Sequence, residues 1–92
     1  MRKLEADIVQ GAREMLQSHA ARLKGCGISW QEPEIEVWRY ESELYASEIR
    51  ITLRKRGQIY DVLEFHIYRD GKPLVSKQEA LSWINQQLTQ QT

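Results

Sequence analysis

The chain predicts an α+β domain in the order helix–strand–strand–strand–helix: a three-stranded antiparallel meander with two helices on one face. Three observations carry this expectation. Apolar residues recur at spacings of three and four near both ends of the sequence. Between those ends lie stretches in which apolar and polar residues alternate. Glycine-bearing turn signals separate the stretches. With 92 residues, 41% of them hydrophobic and 28% charged, the sequence reads as one domain over residues 1–92. A chain of this size buries roughly two thirds of its unfolded surface, enough for a single core.

The first helix spans Leu4 to Leu23. Leu4, Ile8, Ala12, Met15, His19 and Leu23 form one stripe, with Val9, Leu16 and Ala20 beside it. Lys24-Gly25-Cys26-Gly27 then supplies a basic last turn and glycine for a left-handed cap. Ile28 to Pro33 reads as a connector. Ile35 to Tyr40 alternates as the first strand, and Glu41-Ser42-Glu43 as a polar turn. From Glu48 to Arg54 the pattern is cleanest: Ile49, Ile51 and Leu53 point inward, and Arg50, Thr52 and Arg54 outward. Gly57 marks the next turn. Ile59 to Tyr68 is the third strand, with Leu63, Phe65 and Ile67 inward. Asp70-Gly71 turns the chain, and Lys72 to Val75 offers a short edge strand. Ser76 and Glu79 compose a capping box for a second helix, with Val75 and Ala80 as its staple. Ala80, Leu81, Ile84 and Leu88 form its buried face, Trp83 lies at the edge, and 86–92 is expected to fray.

Register follows from charge. Keeping the inward residues opposite one another requires paired numbers with an even sum. A short loop through Arg56-Gly57-Gln58 sets Arg54 opposite Tyr60, Arg50 opposite Glu64 and Glu48 opposite His66. A slip of one residue loses those favourable pairs.

Several function classes recede on composition and spacing. There are 13 Lys and Arg against 13 Asp and Glu. A protein that grips phosphates unspecifically carries an excess of cations, so nucleic acid is not the expected partner. The single cysteine, Cys26, forms no intrachain disulfide, and Met1-Arg2-Lys3-Leu4-Glu5 runs into helix pattern, not an apolar signal core. The expected location is the reducing cytoplasm. No apolar run approaches the ~20 residues of a membrane span. His19, Cys26 and His66 show no paired-ligand spacing, so no metal or cofactor is expected. Cys26 follows a helix C-terminus, where the dipole opposes a thiolate, and reads as a cap residue. Gly25-Cys26-Gly27 follows a helix and has Trp30 where a dinucleotide fingerprint needs a third glycine. The carboxylates Glu32, Glu34, Glu36, Glu41, Glu43 and Glu48 alternate along a strand and turn. They read as a ladder facing Arg50 and Arg54, not as catalytic acids.

What remains is the outer face of the sheet. Parity assigns it Trp38, Tyr40, Arg50, Thr52, Arg54, Tyr60, Val62, Glu64, His66 and Tyr68. Trp, Tyr and Arg are enriched at interface centres, although strands also favour aromatic residues for packing alone. The leading expectation is a small cytoplasmic, non-catalytic binding protein that forms a homodimer through this face.

The element order is also that of the double-stranded-RNA-binding domain. The chain resembles that family at Ser76, Lys77 and Ala80, where the family opens its second helix with serine, lysines and alanine. Gln78 and Glu79 depart from it by standing where lysines are expected. Glu41-Ser42-Glu43 stands where the family has a glycine-proline-histidine loop. The resemblance implies a similar fold and one alternative function, RNA binding through Lys72, Lys77 and Arg54-Lys55-Arg56. A second alternative is a small-ligand carrier or enzyme with a pocket between sheet and helices, for which the sequence names no catalytic pair.

Overall fold

The computed structural model describes residues 2–31, 34–40 and 45–91. It has the expected α+β architecture, with α1 over Lys3–Gly25, β1 over Ile28–Ser29, β2 over Ile35–Tyr40 and β3 over Ala46–Lys55. β4 over Gln58–Arg69, β5 over Lys72–Pro73 and α2 over Lys77–Thr89 complete it. β3 is central. One of its edges pairs with β4; the other pairs with β2 along most of its length and with β1 at its end. β5 adds a short outer strand to β4. All pairings are antiparallel.

The expected meander is therefore present, extended by two short strands. One of them, β1, falls in the stretch read as a connector: Ile28 and Ser29 pair with Lys55 and Arg54. Two residues carry too little periodicity to announce a strand. The expected Glu41-Ser42-Glu43 turn lies outside the described residues.

Local chemistry explains the turns. Arg56 and Gly57 both have positive φ (53° and 79°), as do Asp70 and Gly71 (53° and 76°). Two successive left-handed residues make the tight hairpin turn whose twist suits its flanking strands. In α1, Gly25 stays helical and Gly27 takes the left-handed conformation after the Cys26 cap. The capping box of α2 is present in full: Glu79 N–H donates to Ser76 Oγ, and Ser76 N–H donates to Glu79 Oε1.

Both helices pack on one face of the sheet. Ile8, Ala12, Leu16 and Leu23 of α1 meet Ile49, Ile51, Leu53, Leu63 and Ile67 of the sheet and Ala80, Ile84 and Leu88 of α2. The buried stripe of α1 is rotated slightly from the expected one: Leu16 and Gly11 are buried and Ala20 is exposed. Gly11 lets α2 approach closely. A Cβ there would stand 2.6 Å from both δ-carbons of Leu81. The C-terminal segment differs from the frayed tail expected. α2 continues to Thr89, and Gln91 is buried, its side chain donating to Asp61 and its carbonyl accepting from Arg22.

Candidate interaction surface

The outer face is built by alternation on β2, β3 and β4. β2 pairs Glu36 with Arg50 and Trp38 with Glu48, and β4 pairs Glu64 with Arg50 and His66 with Glu48. These side chains share the face turned away from the helices. The expected register therefore holds through the middle of the β3–β4 ladder. It fails at both ends, where bulges fall between Ser47 and Glu48 and between Leu53 and Arg54.

Those bulges remove two of the expected face residues. Arg54 pairs with Ile59, not Tyr60. Tyr60 is turned to the side of Lys55, whose ammonium lies 4.3 Å from its ring centre. Lys55 pairs with the core residue Ile28, which fixes that side as the helix side. At the other end Ser47, which shares the helix side with Ile49, pairs with Tyr68. The Arg2 guanidinium, at the start of α1, covers the Tyr68 ring at 4.1 Å. A bulge sets two residues against one, so the alternation reverses across it. Nothing in the sequence around Tyr60 or Tyr68 signals this, since neither bulge uses glycine.

The remaining expected residues come together. Arg50 stacks on Trp38, 4.5 Å from its ring centre, and pairs with Glu48 at 3.0 Å and Glu64 at 3.1 Å. Tyr40 donates its hydroxyl to Glu48, which is buried beneath the face. That hydrogen bond, with burial and the Glu48 charge behind it, holds the Tyr40 phenol above its ordinary pKa. Arg54 pairs with Glu34 and donates to the Gly57 carbonyl, confirming part of the expected carboxylate ladder. Glu36, opposite Arg50 in the strands, is exposed, as is His66. Trp38 (42% exposed), Val62 (36%) and Ile59 (62%) are the apolar members of the face. With Glu36, Arg50, Thr52 and Glu64 they line a shallow depression. Ile59 was not among the expected face residues; the bulge after it aligns it with Arg54.

A second polar cluster lies on the helix side. Glu5, in the first turn of α1, is fully buried. It accepts from Arg2 N–H at 2.8 Å and pairs with Arg39 at 3.5 Å. Burial alone would raise its pKa. The Ser47 hydroxyl, the Arg2 N–H and the Arg39 and Arg2 charges outweigh that and hold the carboxyl below its ordinary value. Ser47 acts here by proximity, since its Oγ falls outside hydrogen-bond geometry. This cluster ties the start of α1 to β2 and β3.

His19 hydrogen-bonds Asn85 of α2 and Arg22, both at 2.9 Å, bridging the two helices. Cys26 packs against the core as the α1 cap residue. Among the described residues no group of three or more His, Cys, Asp or Glu gathers as a metal site. Among the same residues no helix is long and apolar enough to cross a membrane. Lys55 pairs with Gln58 at one end of β4, whereas Lys72 pairs with Arg69 at the other, and Lys77 opens α2 five residues after Lys72. A strand of that length spans roughly 35 Å at ~3.4 Å per residue. Of the cations invoked for RNA binding, Arg54 and Lys55 thus stand at the opposite end of the sheet from Lys72.

The fold and this face define an α+β domain with one side of its sheet covered by helices and the other open. Comparison with family models, curated proteins and solved structures finds no match.

Proposed function

We propose that the chain is a non-catalytic interaction protein that self-associates through the open sheet face. The observation that carries this reading is the exposure of Trp38, Val62 and Ile59 together on that face, among side chains of both charge signs. Exposed apolar clusters rimmed by polar groups mark contact surfaces. Overall charge is balanced, so copies approach without net repulsion. The internal ion pairs hold Arg50 and the Trp38 ring in place before contact, which lowers the ordering cost of association. A symmetric pair uses the same patch twice.

Light scattering on the parent and on Trp38→Glu tests the proposal. Trp38 lies outside the helix-facing core, so the variant should keep its fold while removing the ring and adding a negative charge beside Arg50, Glu48 and Glu64 in the contact. The expected result is a parent that self-associates at tens of micromolar and a variant whose association is weakened. A monomeric parent, or a folded variant that associates equally well, overturns it.

A further inference from the structure

The sheet has a second unfilled feature, the outer edge of β4. This strand runs from Gln58 to Arg69, but β5 covers only Tyr68 and Arg69, with Leu74 N–H reaching the Ile67 carbonyl. Among the described residues the edge from Gln58 to His66 has no strand partner. Val62 N–H donates to the carboxylate of its own neighbour Asp61 at 2.9 Å. It therefore points away from β3. Antiparallel alternation places the backbone groups of Glu64 on the same free side. Exposed edges are ordinarily blunted by Lys, Pro, bulges or covering segments. Between Asp61 and His66 there is no Lys, Arg or Pro. The guards present are the bulge at Tyr60 and the Asp61 carboxylate, which Gln91 also holds at 3.1 Å.

We infer that this edge pairs antiparallel with the same edge of a second copy, about a two-fold axis at Leu63. The occupant follows from register. Between the bulges the strand alternates regularly, so keeping both sets of helices on one side requires an even sum of paired numbers. Centring on Asp61 sets that carboxylate against itself, and centring on Glu64 does the same for Glu64. Centring on Val62 opposes no like charges but sets Glu64 against the bulged Tyr60; centring on Leu63 sets Val62 opposite Glu64 of the second copy and Asp61 opposite Phe65, also with no like charges opposed and clear of the bulge. Centring on Leu63 also makes Val62 and Glu64 the residues that exchange backbone hydrogen bonds; their backbone groups point away from β3, and the Val62 N–H is held only by its neighbour Asp61. Two five-stranded sheets would join into one, and their outer faces would become continuous.

This contact is separate from the sheet-face proposal, and the test distinguishes them. Trp38 is on β2, at the far side of β3 from this edge. Hydrogen exchange is followed at the Val62 and Glu64 amides of the parent and Trp38→Glu proteins across concentration. Association is measured in parallel for Glu64→Pro, which removes a free edge N–H and leaves the β3 ladder intact. Both amides should gain protection with concentration, in Trp38→Glu as in the parent, and Glu64→Pro should lose this association. Exchange at these amides that does not change with concentration overturns the edge contact, whether or not Glu64→Pro folds. Loss of all association in Trp38→Glu also overturns it and leaves the face contact standing. Undiminished association in Trp38→Glu with protected amides supports the edge and removes the face reading.

Discussion

The close approach of the helices at Gly11 gives the sharpest stability prediction. A helix-interior glycine costs ~1 kcal/mol relative to alanine, so Gly11→Ala would ordinarily stabilise α1. Here the new Cβ would sit 2.6 Å from both δ-carbons of Leu81, against an ordinary carbon–carbon contact of about 3.5–4.0 Å. Leu81 must yield by about an ångström, and overpacking of this kind costs ~1–3 kcal/mol. The net effect of Gly11→Ala is then between neutral and a loss of about 2 kcal/mol. Leu81→Ala alone should cost about 2 kcal/mol, at the low end for a leucine because this side chain is only half-buried. In the Leu81→Ala background the obstruction is gone, and Gly11→Ala should stabilise by ~1 kcal/mol. Urea denaturation of the four proteins of the cycle measures the coupling, expected at ~1–3 kcal/mol. One kcal/mol corresponds to a shift of roughly 4–8 °C in Tm at this size. Effects additive to within about 0.5 kcal/mol would refute the account of why glycine stands at this position.

Three further outcomes follow from the charged groups and the sheet. Glu5 is held below its ordinary pKa, so its stabilisation is present above the unfolded value of about 4.3 and is lost as pH falls through the lower folded value. Glu5→Gln should cost about 1–3 kcal/mol near neutrality, and the gap from the parent in urea midpoint should close in acid; a gap independent of pH would contradict this. The Tyr40 phenol should ionise above the ordinary tyrosine range and return toward it in Glu48→Gln, read from tyrosinate absorbance; an unchanged titration would remove Glu48 as the main cause. An RNA duplex of about 20 base pairs should show no salt-dependent binding near physiological ionic strength; micromolar binding that weakens in Lys77→Glu would favour the RNA reading instead.

The parts of the fold legible in the sequence are those with several residues of consistent period. Ile49, Ile51 and Leu53 announce β3, and Ser76 with Glu79 announces the start of α2; both stand as read. β1 was not legible because a two-residue strand has no period. The outer face was legible only between the bulges. Parity placed Trp38, Tyr40, Arg50, Arg54, Val62, Glu64 and His66 correctly, but each bulge reverses the alternation and carries Tyr60 or Tyr68 to the helix side. The C-terminal tail failed for a different reason. Its glutamines look solvated by composition, yet Gln91 is tied down by Asp61 and Arg22, far away in sequence. Burial of Glu5 is likewise invisible locally, because Arg39 and Ser47 compensate it from other strands.

The most direct test of the open face as a contact surface is a concentration series of NMR spectra, following the Trp38 indole, the Val62 methyls and the Thr52 methyl. Contact through this face predicts that these signals shift together between dilute and concentrated samples. It also predicts that the buried methyls of Ile84 and Leu88 on α2 stay fixed. Signals on the face that do not move with concentration, or movement confined to the helices, would contradict it.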